Sequence, residues 1–325
     1  MFAPLSIWLL IISCSVSEKE ISLPGKIAIE SSQSVCSVYD NSDKIKLEFR
    51  LEENKQFWHS SLIWLHKEDA FVGVEGLKKE PGRTYQSNVV LFDLKGNLVE
   101  RIYESEEGEI VGYAYPSRND KRLVFTLEIV GDIKLDPLEG LNRQQSLVIM
   151  DFEQKKVFKR IENFGSSMSI EFNESPWLYD EDRLIYTVSG NKRITVEGQS
   201  INSVAEGASG IYIYDLNTDQ HKLLVPDGQF GICSPVNLQI CYIKDKSVWI
   251  LDLKDNTTKM VYEAEAKQKV SNIHWTPDGK YIYLAYFNNP GTDFFTTREK
   301  LIEVITGEEI PFKKIGHGFI PYTWK

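Results

Sequence analysis

The chain of 325 residues carries 37 Lys and Arg against 47 Asp and Glu, a formal net charge of −10. Its 42% hydrophobic and 26% charged residues exclude a largely disordered or collagen-like chain. The acidic balance also excludes a nucleic-acid binder that works through a basic surface.

Residues 5–12 form a short apolar run, far below the ~20 residues that a membrane-spanning helix needs. The run has the length of the apolar region of a secretory signal. Ile11-Ile12-Ser13-Cys14 follows directly, and it resembles the bacterial lipobox. That resemblance implies cleavage after Ser13, a lipid on Cys14, and a place in the bacterial cell envelope on the periplasmic or extracellular side. No Lys or Arg precedes the run, which departs from the usual signal. A plain cleaved signal and a cytosolic chain are the alternatives. The expected division is a signal peptide over 1–13, a polar tether over 14–25 and a single domain over 26–325.

The domain reads as a repeat. Its first unit has strands expected near 26–30, 35–39 and 44–49, with Ser37-Val38-Tyr39-Asp40-Asn41 as a short apolar strand that ends in an acid and a turn. The same element recurs around Asp93, Asp151, Asp215, Asp252 and Glu303. At each place a side-chain oxygen can accept bonds from the turn's own N–H groups, which gives the acid a structural role. A second element precedes each copy. It is clearest in Ile273-His274-Trp275-Thr276-Pro277-Asp278-Gly279-Lys280-Tyr281-Ile282-Tyr283-Leu284, where two aromatic-rich runs flank a Pro-Asp-Gly-Lys hairpin turn.

Looser copies centre on Trp64, Tyr115, Trp177 and Cys233, and the chain ends on a half-copy with Trp324. Four of the 7 Trp thus share one place in the repeat, with Tyr115 and Cys233 in the same slot elsewhere. Short strands in units of roughly 40–50 residues, without a long amphipathic helix, are the signature of a β-propeller.

The Trp-x-Pro-Asp-Gly-Lys-Tyr-Ile-Tyr hairpin resembles the repeat of TolB-like propellers, which also occurs in the propeller domains of prolyl-oligopeptidase-type proteins. The fold expected is all-β, a six-bladed β-propeller of four-stranded antiparallel blades. Its first unit lacks a Trp-bearing strand and 318–324 supplies one, so the ring is expected to close with strands from both termini.

Four connections between second and third strands are long, at 76–87, 131–144, 189–209 and 288–300, and all fall on one face. Long loops in a compact repeat often carry function. His59 and His317 each precede a Trp-slot strand, with Glu106, Glu107, Glu109 and Glu171 on nearby loops. These residues are the candidate partner contacts. Imidazole with carboxylate also suits Zn or Mn, and some propeller lyases related to the resembled family hold a metal with histidines in the channel. The ordinary alternative for all of them is a solvated loop residue.

Cys233 and Cys241 flank a tight turn, so a disulfide or two buried thiols are both open. No Gly-x-Ser-x-Gly elbow, His-Glu-x-x-His, Walker loop or Rossmann fingerprint is present. The expected function is a non-enzymatic, envelope-anchored module without a cofactor. It would be monomeric and bind a protein or peptide, with membrane lipid as the anchor's partner. The alternative is a metal-dependent lyase or hydrolase acting on an extracellular polymer at the channel.

Overall fold

A computed structural model describes residues 20–31, 35–39, 45–50, 57–80, 83–129, 144–164, 168–171, 176–190, 194–196, 199–201, 209–288, 296–312 and 323–324. The expected signal over 1–13 and Cys14 lie outside them. The Thr276–Tyr281 turn shows how the repeat folds. Thr276 N–H donates to Tyr281 O at 2.9 Å and Gly279 N–H to Thr276 O at 2.8 Å. Gly279 sits at φ 67°, in the left-handed region that glycine adopts without strain. Asp278 Oδ1 accepts from Thr276 Oγ1 at 2.6 Å and from Lys280 N–H at 3.1 Å.

The same closing bond recurs from Leu65 N–H to Ala70 O, Ser117 to Arg122, Leu178 to Arg183 and Ser234 to Gln239. The recurrent acids act as turn caps. Asp93 Oδ1 accepts from the N–H groups of Lys95 and Asn97, Asp215 Oδ1 from Asn217 and Thr218, and Asp252 Oδ1 from Lys254. The hydrogen bonds of Asn97 and Thr218 hold the carboxyls of Asp93 and Asp215 below the usual range.

In chain order the strands are β1 (Ile27–Ser31), β2 (Val35–Tyr39), β3 (Ile45–Arg50), β4 (Phe57–Trp64), β5 (Ala70–Glu80), β6 (Arg83–Asp93) and β7 (Leu98–Tyr103). Next come β8 (Glu109–Pro116), β9 (Arg122–Ile129), β10 (Gln144–Asp151), β11 (Lys156–Phe164), β12 (Met168–Glu171) and β13 (Arg183–Gly190). A small pair, β14 (Ile194–Val196) and β15 (Gln199–Ile201), precedes β16 (Gly210–Asp215) and β17 (Gln220–Pro226). The last are β18 (Gln229–Cys233), β19 (Gln239–Lys244), β20 (Ser247–Asp252), β21 (Thr257–Glu263), β22 (Gln268–Trp275), β23 (Tyr281–Asn288), β24 (Thr296–Glu303) and β25 (Thr323–Trp324). No helix occurs among the described residues.

The fold is an all-β propeller with five four-stranded blades: β25-β1-β2-β3, β4 to β7, β8 to β11, β12-β13-β16-β17 and β18 to β21. This corrects the expectation of six four-stranded blades. The unit beginning at Gln268 is a three-stranded sheet, β22-β23-β24. Beyond β24 the described residues form two isolated bridges, from Ile302 to Glu309 and, parallel, from Phe312 to Ile21, and Ile310 N–H donates to Leu301 O at 2.8 Å.

Termini share the first blade. β25 pairs antiparallel with β1, Trp324 opposite Ile27 and Thr323 opposite Ala28, and Trp324 Nε1 donates to Pro24 O at 2.6 Å. Apolar clusters lie between consecutive sheets, including one that joins Leu23, Tyr283, Leu301, Phe312 and Trp324. The stretch expected as a free tether is therefore packed from Ile21 onward, with Leu23 buried and Ile21 N–H donating to Pro311 O at 3.0 Å.

The Trp slot belongs to these cores. Trp64, Trp177, Trp275, Trp324 and Cys233 are all buried. In the third blade the hairpin register places Pro116, opposite Leu123, in the slot expected for Tyr115, and Tyr115 is buried one position earlier. Trp177 Nε1 donates to Tyr115 O at 3.0 Å, Cys233 Sγ to Pro176 O at 3.3 Å and Trp275 Nε1 to Ile232 O at 3.3 Å. Each donor thus reaches the innermost chain of the preceding sheet, so the repeated side chain welds neighbours together.

Candidate functional site

Among the described residues the innermost strands β4, β8, β12, β18, β22 and β25 each pair with another strand on one side. Their other edges line the channel with backbone N–H and C=O groups. Most of these strands are interrupted near mid-length by a bulge, between Ser60 and Ile63, Val111 and Ala114, Gln229 and Ile232, and Val270 and Asn272. A bulge re-aims side chains. Here it leaves Tyr113 47% exposed; at the corresponding places stand Asn272 and Phe230, the latter packed against the apolar cluster between the fifth blade and the β22-β23-β24 sheet. Phe230 has φ 52°, a strained backbone for a bulky residue. The sequence signal for these bulges is a glycine inside a strand pattern, Gly112-Tyr113 and Phe230-Gly231.

One end of the channel is formed by the short hairpin turns. They are braced to one another: Asp120 accepts N–H bonds from His66 at 2.9 Å and Lys67 at 2.6 Å, and Arg122 donates to Glu181 O at 3.1 Å. Arg118 extends from the turn between β8 and β9, past the neighbouring blade, and donates to both Ser234 O and Pro235 O. Its guanidinium lies 5.8 Å from the centroid of the Tyr179 ring. Burial pulls the Arg118 pKa below its ordinary value. His66 is exposed in one of these turns and His274 is buried inside β22, so neither reaches the opposite face.

The opposite end carries the long connections. Of the expected loop at 76–87, residues 76–80 and 83–87 continue β5 and β6 as a paired ribbon, Leu77 opposite Gln86 and Glu80 opposite Arg83. Within 189–209 the structure places the β14–β15 hairpin. Residues 131–143 and 289–295 lie outside the described residues.

His59 is paired in register with Glu75 on β5. Glu75 is buried, and Arg101 grips its carboxylate through Nε at 2.6 Å and Nη2 at 3.1 Å, with Asn88 Nδ2 at 3.2 Å. Glu109 is likewise buried and committed. Its Oε1 meets Arg160 Nη2 at 3.3 Å and its Oε2 accepts the N–H of Glu106 at 3.0 Å. Burial, with Glu109 nearby, raises the Tyr103 pKa. Glu106 and Glu107 are exposed on the loop before β8.

His317, the expected neighbour of His59, lies outside the described residues, and the Glu171 backbone ends β12 in the fourth blade. Among the described residues no group of three or more His, Cys, Asp and Glu is arranged to hold a metal ion. The disulfide expected as one alternative is not formed. Register sets Cys233 opposite Ile240 and Cys241 opposite Ile232, which sends the two side chains to opposite sides of the sheet. Both thiols are free and fully buried, and burial pushes their pKa values up.

No family model matches the chain, and no curated protein matches it. Solved structures do share its fold. A putative TolB from Agrobacterium tumefaciens aligns over 93% of both chains at 10% identity with a TM-score of 0.54. An oligogalacturonate lyase in complex with manganese aligns over 90% of this chain and 73% of its own, at 12% identity and a TM-score of 0.53. A prolyl endopeptidase aligns over 87% of this chain and 37% of its own, at 16% identity and a TM-score of 0.52. At such identities the likeness establishes the propeller fold.

Proposed function

We propose that the protein is a lipid-anchored propeller of the bacterial cell envelope that binds a protein or peptide partner through its loop face, without catalysing a reaction. In this reading the three-stranded sheet β22-β23-β24 serves as a sixth blade. The observation that carries it is the inequality of the two faces. The turn face is closed by short hairpins and the Arg118 bridge. The loop face bears the β5–β6 ribbon and the β14–β15 hairpin, whose open strand edges fit an extended chain. Similarity to the putative TolB, over nearly the full length of both chains, supports the envelope location. Glu106 and Glu107 are exposed beside the ribbon and give that rim negative charge, which favours a cationic segment of the partner.

The test is crosslinking on intact envelopes with the full lipidated chain and with a variant lacking 191–208. A specific crosslinked partner lost in the variant, with melting temperature unchanged, supports the reading. Stoichiometric Mn or Zn in the purified protein, lost on His59→Ala or His317→Ala together with activity on an acidic polysaccharide, replaces it with the lyase reading.

A further inference from the structure

We propose that the turn-side rim at the β22-β23-β24 sheet rests against the lipid surface, so that the loop face points away from the membrane. The inference rests on lipidation of Cys14, and two observations carry it further. The first is the short reach of the anchor. Ile21 is fixed to the domain by its N–H bond to Pro311 O and its bridge to Phe312, while Leu23 is 4% exposed and Pro24 O holds Trp324 Nε1. Only seven residue steps separate Cys14 from Ile21. At ~3.6 Å per residue the chain spans at most about 25 Å. A domain of about 300 residues has a radius of gyration near 19 Å, and thus a breadth of about 50 Å. The bilayer surface must therefore lie within about half a domain's breadth of Ile21.

The fixed segment runs along the turn side. Phe312 packs edge-on to Tyr283, just inside β23 from its turn, and Lys26 reaches Asp69 in the turn of the next blade. The second observation is Ile305. It is 83% exposed at the tip of the turn after β24, on the sheet to which Ile21 is fixed. That turn is held in shape: Lys259 Nζ donates to Val304 O and Ile305 O, Gly307 N–H donates to Glu303 O at 2.8 Å, and Thr306 Oγ1 donates to Glu303 Oε2 at 2.7 Å. A fixed, nearly fully exposed isoleucine beside a cationic side chain suits shallow contact with lipid headgroups and the acyl boundary. A short tether and an apolar tip on one rim select the same orientation.

The experiment uses the lipidated full chain on vesicles of phosphatidylethanolamine and phosphatidylglycerol. Acylation consumes the Cys14 thiol and the other three cysteines are buried, so Ile305→Cys and Lys267→Cys take a polarity-sensitive fluorophore selectively. Lys267 is exposed on the loop face, in the connection from β21 to β22. The expected result is a blue-shifted label at position 305, quenched by spin-labelled lipid at least threefold more than the label at position 267. A linker of about 30 Gly and Ser residues inserted after Ser17 removes the difference. An aqueous signal at 305 in protein whose lipid is confirmed by mass spectrometry overturns the orientation alone, as does stronger quenching at 267. An unmodified Cys14 overturns the anchor, and the orientation with it.

Discussion

Replacing Gly112 by alanine tests whether the bulge in β8 is set by packing against one side chain. A Cβ at this position meets Thr126 Oγ1 at 2.3 Å, while the next nearest atoms, Thr126 Cβ and O, stand at ordinary distances of 3.6 and 3.7 Å. Thr126 is β-branched and its χ1 is stiff, so the hydroxyl cannot swing away freely. Overpacking of this kind costs about 1–3 kcal/mol. The lower entropy of an unfolded chain with alanine returns ~0.4–1 kcal/mol. Gly112→Ala is thus expected to destabilise by up to about 2.6 kcal/mol, read from urea unfolding followed by Trp fluorescence. The double variant Gly112→Ala/Thr126→Ala removes the obstructing atom and is expected to be at least as stable as Thr126→Ala alone. A double-mutant cycle then gives a coupling of about 1–3 kcal/mol. An equal loss from Gly112→Ala in both backgrounds refutes the assignment to Thr126 and places the strain in the backbone of the bulge.

Arg101→Ala leaves the buried Glu75 carboxylate without its guanidinium and is expected to cost about 3–5 kcal/mol, whereas Glu75→Leu/Arg101→Met costs much less; thermal unfolding of both variants compares them. His221 has its pKa lowered by burial, and its Nδ1 shares a hydrogen bond of 2.6 Å with the Tyr186 hydroxyl. The unfolded chain then binds the His221 proton first, and this contribution to stability falls as pH drops below about 6.5 toward the lower folded value. His221→Phe flattens that part of the profile, measured as urea midpoints between pH 7.5 and 5; an unchanged slope refutes it. In a Cys14→Ser background the native protein is expected to leave all three thiols unreacted toward a chromogenic disulfide reagent, and denaturant without reductant to release three equivalents. A result of one equivalent would establish a bridge.

The residues that specify the first hairpin of each unit are strongly written in the sequence. Thr276, Asp278 and Gly279 each make a local bond or adopt a local conformation, so their effect needs no knowledge of the rest of the chain. The acids at 93, 151, 215 and 252 are legible for the same reason. The outer strand of a unit carries no such signal. The copy with the clearest hairpin, around Trp275, makes the one incomplete sheet, because its outer positions depend on backbone contacts of Glu309 and Phe312 with Ile302 and Ile21. The ribbon formed by 76–80 and 83–87 was hidden by glycine and charged residues, poor strand formers whose preference is overridden by pairing across the hairpin. Candidate site residues suffered most. Glu109 reads as one acid in an acidic turn, yet its role follows from Arg160, on the outer strand of the same blade.

The slot side chains and the side chains at the bulges divide the innermost strands between two tasks. Toward the turns, Trp177, Cys233 and Trp275 spend their only donors on carbonyls of the preceding sheet, and Arg118 satisfies two more. Those groups are committed to holding the ring, where an unsatisfied buried carbonyl would be costly. Beyond the bulges the pattern ends: Tyr113 and Phe230 occupy equivalent places without sharing a repeat residue, and the connections differ from blade to blade. Repetition is what a ring of equivalent interfaces requires, and departure from it is what an asymmetric ligand requires. The loop end, where the sequence stops repeating, is therefore the end whose surface differs from blade to blade, as the proposed binding of an asymmetric partner requires.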